Sequence, residues 1–123
     1  MTKVLLIEDD LCVQFTLAKL LKLSGHEIYV ASDGEDAIVQ LRRGISFSLI
    51  LCDIDMPVMD GFRCLDHISQ SSKEYALLPF IFMSAYVDQR IVERVKKTSA
   101  ICVLRKPVSI DILKAIFIAL RID

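Results

Sequence analysis

Short apolar runs alternate with stretches of helical spacing along the whole chain, and no linker or low-complexity tract interrupts them. Residues 3–7 (KVLLI) form a continuous apolar run of strand length. Val13, Leu17, Leu20 and Leu21 then recur at helical spacing until Gly25 stops them. Residues 27–31 (EIYVA) read as a second strand. Asp33 caps a helix reaching about residue 43, with Ala37, Ile38 and Leu41 turned inward. A third strand covers 49–52 and a short helix 61–69, and residues 69–75 make a polar, serine-bearing loop. The fourth strand is 80–83 (FIFM), the fourth helix 88–97 and the fifth strand 101–104. Ser109 opens a last helix to about residue 122. Five strand–helix units in series predict a doubly wound α/β domain, a parallel sheet with helices on both faces.

Composition fits that frame. The chain has 123 residues, enough for one domain with a real core, and the expectation is a single domain over 1–123 with no output domain. The apolar fraction is 54% and the charged fraction 25%, as expected for strands buried on both faces. A net charge of −1 without a basic block argues against direct binding to nucleic acid or an anionic membrane. No apolar run reaches membrane-spanning length, and with the first strand this close to Met1 the expectation is no signal peptide. Cys12, Cys52, Cys64 and Cys102 are scattered without a CxxC pair, which suits free thiols in a reducing cytoplasm better than zinc or disulfides.

In such sheets, functional residues collect at the carboxyl ends of the strands. Glu8, Asp9 and Asp10 follow the first strand, Asp53 and Asp55 the third, Ser84 the fourth and Lys106 the fifth. Singly, each has an ordinary explanation. Asp10 reads as a helix cap, Asp60 before Gly61 as a turn residue or cap, and Ser84 and Lys106 as plain strand-end residues. Together they gather three carboxylates, Glu8, Asp9 and Asp53, into one crevice, where their repulsion should raise at least one pKa. A hard divalent cation and an ammonium group would relieve it. Mg2+ suits one or two carboxylates, a carbonyl and waters, and leaves room for phosphate oxygens. Lys106 would supply fixed positive charge, a carboxylate could attack phosphorus to give an aspartyl phosphate, and Ser84 could donate to a phosphoryl oxygen.

The four strand-end motifs, IEDD, CDIDMPVMDG, MSA and RKP, stand in order over essentially the whole chain. In this the chain resembles the receiver domain of two-component response regulators. The resemblance implies a flavodoxin-like (βα)5 fold with five parallel strands in the order 2-1-3-4-5. It implies Asp53 as phosphoacceptor, and Glu8 and Asp9 as the acid pair for Mg2+ (or Mn2+), Asp9 directly and Glu8 largely through water. It also implies a metal contact from the Asp55 backbone carbonyl, Ser84 as the switch hydroxyl, and Lys106 on the phosphoryl group after a cis bond to Pro107. The donor would be a histidine kinase or histidine phosphotransfer protein. The output would be an effector or a second copy bound through the face of the fourth helix, fifth strand and last helix. Self-phosphorylation and slow self-dephosphorylation, rather than enzymatic turnover, would be its chemistry.

Several positions depart from the family pattern or add to it. Val103 stands three residues before the lysine, where the family commonly has an aromatic that swings inward, so the usual serine–aromatic coupling is not expected. Tyr86 is a bulky group two residues after Ser84 and is expected to screen the phosphoryl group from water. Asp55 adds a fourth acid to the rim, either tightening cation binding or facing solvent. On the last helix, Asp111, Lys114 and Arg121 make one narrow polar stripe with Ile118 inside it and Ile110 and Phe117 at its edge. That pattern fits either a generously apolar core helix or a partner surface that could dimerise. Two rival readings remain. A haloacid-dehalogenase-type phosphatase would use Asp53-Ile54-Asp55 as its DxD motif, against which stand the separate acid pair and a chain too short for a cap. A receiver-like interaction module would not accept phosphate.

Overall fold

The computed structural model describes residues 2–122. In chain order the elements are β1 (Lys3–Ile7), α1 (Leu11–Leu23), β2 (Glu27–Ala31), α2 (Gly34–Leu41), β3 (Leu49–Asp53) and α3 (Gly61–Ser71). There follow α4 (Lys73–Ala76), β4 (Phe80–Ser84), α5 (Gln89–Lys96), β5 (Cys102–Arg105) and α6 (Ile110–Ala119). The strands form one sheet in the order β2-β1-β3-β4-β5, and every pairing is parallel. The (βα)5 fold and its strand order are as expected.

Alternation along the strands divides the core into two layers. Leu5 and Ile7 of β1, Ile50 and Cys52 of β3, and Phe80 and Phe82 of β4 pack with α2, α3 and Val95 of α5. Their neighbours Val4, Leu6, Leu49, Leu51, Ile81 and Met83 face the opposite side, against Leu17 and Leu21 of α1 and Leu113 and Phe117 of α6. Val4 to Ile7 are fully buried, each side chain contributing roughly 1.5–3 kcal/mol relative to exposure. This two-sided burial explains why β1 and β3 carry no polar alternation.

Caps set the helix limits. Asp10, Asp33, Asp60, Asp88 and Ser109 each accept backbone N–H groups from the first turns of α1, α2, α3, α5 and α6. Asp10 and Asp60 are thus caps. The loop expected at 69–75 is instead the end of α3 and a separate short helix, α4, started by the Ser72 hydroxyl accepting from the Glu74 N–H. None of the four residues of α4 is buried, so it carries no apolar period to read. α6 stops at Ala119, earlier than expected. Arg121 is left-handed (φ 57°), and the amides of Arg121 and Ile122 return to the carbonyls of Ile118 and Phe117. These two bonds make a Schellman ending.

Phe117 differs from its expected place at the edge of a surface stripe. It is 3% exposed and meets the His26 ring edge-on at 4.6 Å. The large apolar side chains that α6 shows to solvent are Ile112 and Ile118. Among the described residues, no helix is long and apolar enough to cross a membrane.

Candidate functional site

Four neighbouring strands deliver the sequence-predicted residues to one end of the sheet. Glu8 follows the last residue of β1 and is fully buried, while Asp9 beside it is exposed. Glu8 is held through its backbone. Its N–H donates to the Ala31 carbonyl at the end of β2, and its carbonyl accepts from the Gln14 side-chain amide. Asp53 and Ser84 are the last residues of β3 and β4, 3% and 1% exposed. Lys106 follows β5, its N–H donates to the Ser84 carbonyl at 2.9 Å, and its bond to Pro107 is cis, as the resemblance implied.

The Lys106 side chain spans the crevice. Its Nζ lies 2.5 Å from Glu8 Oε1 and 3.1 Å from Asp53 Oδ1. Carboxylate oxygens of Glu8, Asp9 and Asp53 all come within 4.8 Å of one another, close enough to share one cation. Hard oxygen donors, one of them exposed, suit Mg2+ or Mn2+ rather than a softer metal. Asp60 points elsewhere, bonded to the Arg63 amide at the start of α3.

The electrostatics follow from burial. Desolvation pushes the Glu8 carboxyl up to about 7; the repulsion of Asp53 adds to this, and the Lys106 bond opposes it. Burial works to lower Lys106, but its bonds to Glu8 and Asp53 outweigh that and leave it above its ordinary value. Glu8 is therefore the member of this pair that changes charge near neutrality, while Lys106 stays cationic.

Two features were not legible beforehand. The first concerns Asp55. Its N–H donates to Asp53 Oδ1 at 3.2 Å, and its carboxylate Oδ2 accepts from the Ser84 hydroxyl at 2.8 Å. The Asp55 side chain, though exposed, thus faces Ser84. The second is Gly61. A Cβ built there would lie 2.6 Å from the Asp53 carbonyl oxygen and 2.8 Å from the Ile54 Cα. Only a residue without a side chain lets α3 start this close to the end of β3, and the "DG" pair was the available signal. Tyr86 is 77% exposed, and it is its backbone that engages Ser84. Val103 is half-buried against the α2–α3 side of the core.

The model of the response regulator receiver domain family matches residues 4–118. The chain belongs to this family. Among relatives, the response regulator protein FleR of Pseudomonas aeruginosa is 40% identical over 100 residues, covering 80% of this chain and 20% of its own length. The transcriptional regulatory protein PdtaR of Mycobacterium tuberculosis is 34% identical over 119 residues, covering 95% of this chain and 56% of its own. This receiver domain thus spans about a fifth to little over half of the length of these curated relatives. Among solved structures, the chemotaxis protein CheY4 of Vibrio cholerae superposes with a TM-score of 0.85 at 26% identity, over 98% of each chain. The receiver domain of sensor histidine kinase PA1611 of P. aeruginosa, solved with a magnesium ion coordinated in its active-site cleft, shares the fold at 24% identity. Its TM-score is 0.83, over 97% of this chain and 96% of its own.

Proposed function

We propose that this receiver domain takes a phosphoryl group onto Asp53 from a phosphohistidine on a histidine kinase or histidine phosphotransfer protein. The observation that carries this reading is the Asp53 carboxylate, buried at a strand end, 3.1 Å from the Lys106 ammonium and beside two further carboxylates. A carboxylate oxygen of Asp53 attacks phosphorus, the P–N bond breaks, and imidazole leaves with its electron pair. Lys106 meets the charge on the phosphoryl oxygens, and the Ser84 hydroxyl turns to donate to one of them. Glu8, Asp9, Asp53 and the Asp55 carbonyl would hold Mg2+ or Mn2+, as PA1611 holds magnesium in its cleft. When bound, the cation supplies positive charge to the transferring group.

The movement of Ser84 carries the loop after β4 with it and biases the face of α5, β5 and α6 toward an effector or a second copy. Exposed Ile112 and Ile118 on α6 favour such a contact. The chemistry is one phosphoryl group taken and slowly lost, in the cytoplasm where the donor kinase works. The phosphatase reading is disfavoured because Asp55, its required acid/base, is bonded to Ser84. Intact mass after incubation with Mg2+ and a small acyl phosphate tests the proposal. One phosphate-sized adduct should form, and it should vanish with EDTA or in Asp53→Asn. No adduct with any donor would favour the unphosphorylated interaction module.

A further inference from the structure

Ser84 is 1% exposed, so bulk water has little access to its hydroxyl. The hydroxyl owns a single proton. Two acceptors lie within reach of that proton, Asp55 Oδ2 at 2.8 Å and the Tyr86 carbonyl at 2.9 Å, while the Tyr86 N–H donates to Oγ at 3.1 Å. A carboxylate is the stronger acceptor of the two, because a hydrogen bond to an ionised group is roughly twice as strong as a neutral one. The same residue is tied to Asp53, through its own N–H on Asp53 Oδ1. One residue therefore touches both the nucleophile and the hydroxyl that must later serve the phosphoryl group.

We propose that the Asp55 carboxylate is a positioning residue that latches the Ser84 hydroxyl in the resting state and so sets how firmly the phosphorylated arrangement is held. The inference rests on Asp53 being the phosphoacceptor. A phosphoryl oxygen and Asp55 compete for one proton, and Ser84 cannot donate fully to both. Removing the Asp55 acceptor frees the hydroxyl and favours the phosphorylated arrangement. An asparagine, whose amide oxygen still accepts but carries no charge, falls between the two.

The test is a double-mutant cycle read by fluorine NMR titration of beryllofluoride, a phosphoryl mimic, at saturating Mg2+. Asp55→Ala and Asp55→Asn are each made with Ser84 and with Ser84→Ala. Asp55→Ala should tighten beryllofluoride about tenfold when Ser84 is present, the low end for a hydrogen bond to a charged group. With Ser84→Ala the same change should stay within about twofold, as for uncoupled sites. The alanine background also carries any effect of lost charge on the anion, so only the difference reports the latch. Equal tightening in both backgrounds, or none in either, overturns the proposal. If the wild-type protein binds no beryllofluoride and matches Asp53→Asn, the phosphoacceptor reading itself fails and the latch fails with it.

Discussion

At the scale of single residues, Glu8 and Lys106 define how the crevice responds to pH. The Glu8 carboxyl keeps its proton to about pH 7 in the fold, against an ordinary value of 4.5. Between those values the folded chain binds more protons than the unfolded one. The contribution of Glu8 to stability is therefore full below its ordinary value and is lost as pH rises through about 7. A cation needs the deprotonated form, so its affinity moves the opposite way. Without divalent cations, the melting temperature of wild type relative to Glu8→Gln should fall from about pH 5 to about pH 8, and the rise produced by Mg2+ should be larger at the higher pH. A pH-independent difference between the two proteins would show that Glu8 is not the titrating group. The grouping of Asp53, Glu8 and Lys106 was legible from their shared strand-end position, and their individual roles were what the resemblance implied. The contact made by the Asp55 carboxylate was not readable, because Ser84 lies 29 residues away and only the path of the loop brings the two together.

Among the elements, the junction of β3 and α3 is the tightest. Gly61→Ala forces a methyl group onto the backbone of Asp53 and Ile54, where no flexible side chain can yield. The variant should lose about 1–3 kcal/mol in denaturant unfolding, the usual cost of overpacking, and should form the phosphate adduct more slowly. Unchanged stability would mean that α3 can shift without cost. α6 supports a second comparison. Phe117→Ala should cost about 3–5 kcal/mol as a core truncation. Ile118→Glu, at a 77% exposed site, should stay within about 0.5 kcal/mol and should abolish any dimer seen by gel filtration. Identical elution of wild type and Ile118→Glu as dimers would remove Ile118 from the contact. The strands were legible as short continuous apolar runs, because burial on both faces removes polar alternation, and the long helices because one buried face imposes a period near 3.6. α4 lays only half-buried Tyr75 against the core and, at four residues, had no period to show. In α6, so few residues are polar that periodicity could not say which apolar groups face inward, and Phe117 was misplaced for that reason.

For the whole molecule, function follows from topology. The order β2-β1-β3-β4-β5 sets the ends of β1, β3, β4 and β5 side by side, although Glu8 and Lys106 stand 98 residues apart in sequence. Fold and site were legible together, since the strand ends that define the sheet also carry IEDD, CDIDMPVMDG, MSA and RKP. What lies downstream of the receiver was not, because the exposed face that meets a partner is set by side chains whose outward aim no strand period dictates. The central claim is that one acid of the crevice, Asp53, carries the phosphoryl group. Its most direct test is to phosphorylate the protein with a small acyl phosphate and Mg2+, trap the acyl phosphate by borohydride reduction, and locate the reduced residue by peptide mass spectrometry. The account predicts reduction at Asp53 alone; a reduced residue at Glu8, Asp9 or Asp55, or none at all, would contradict it.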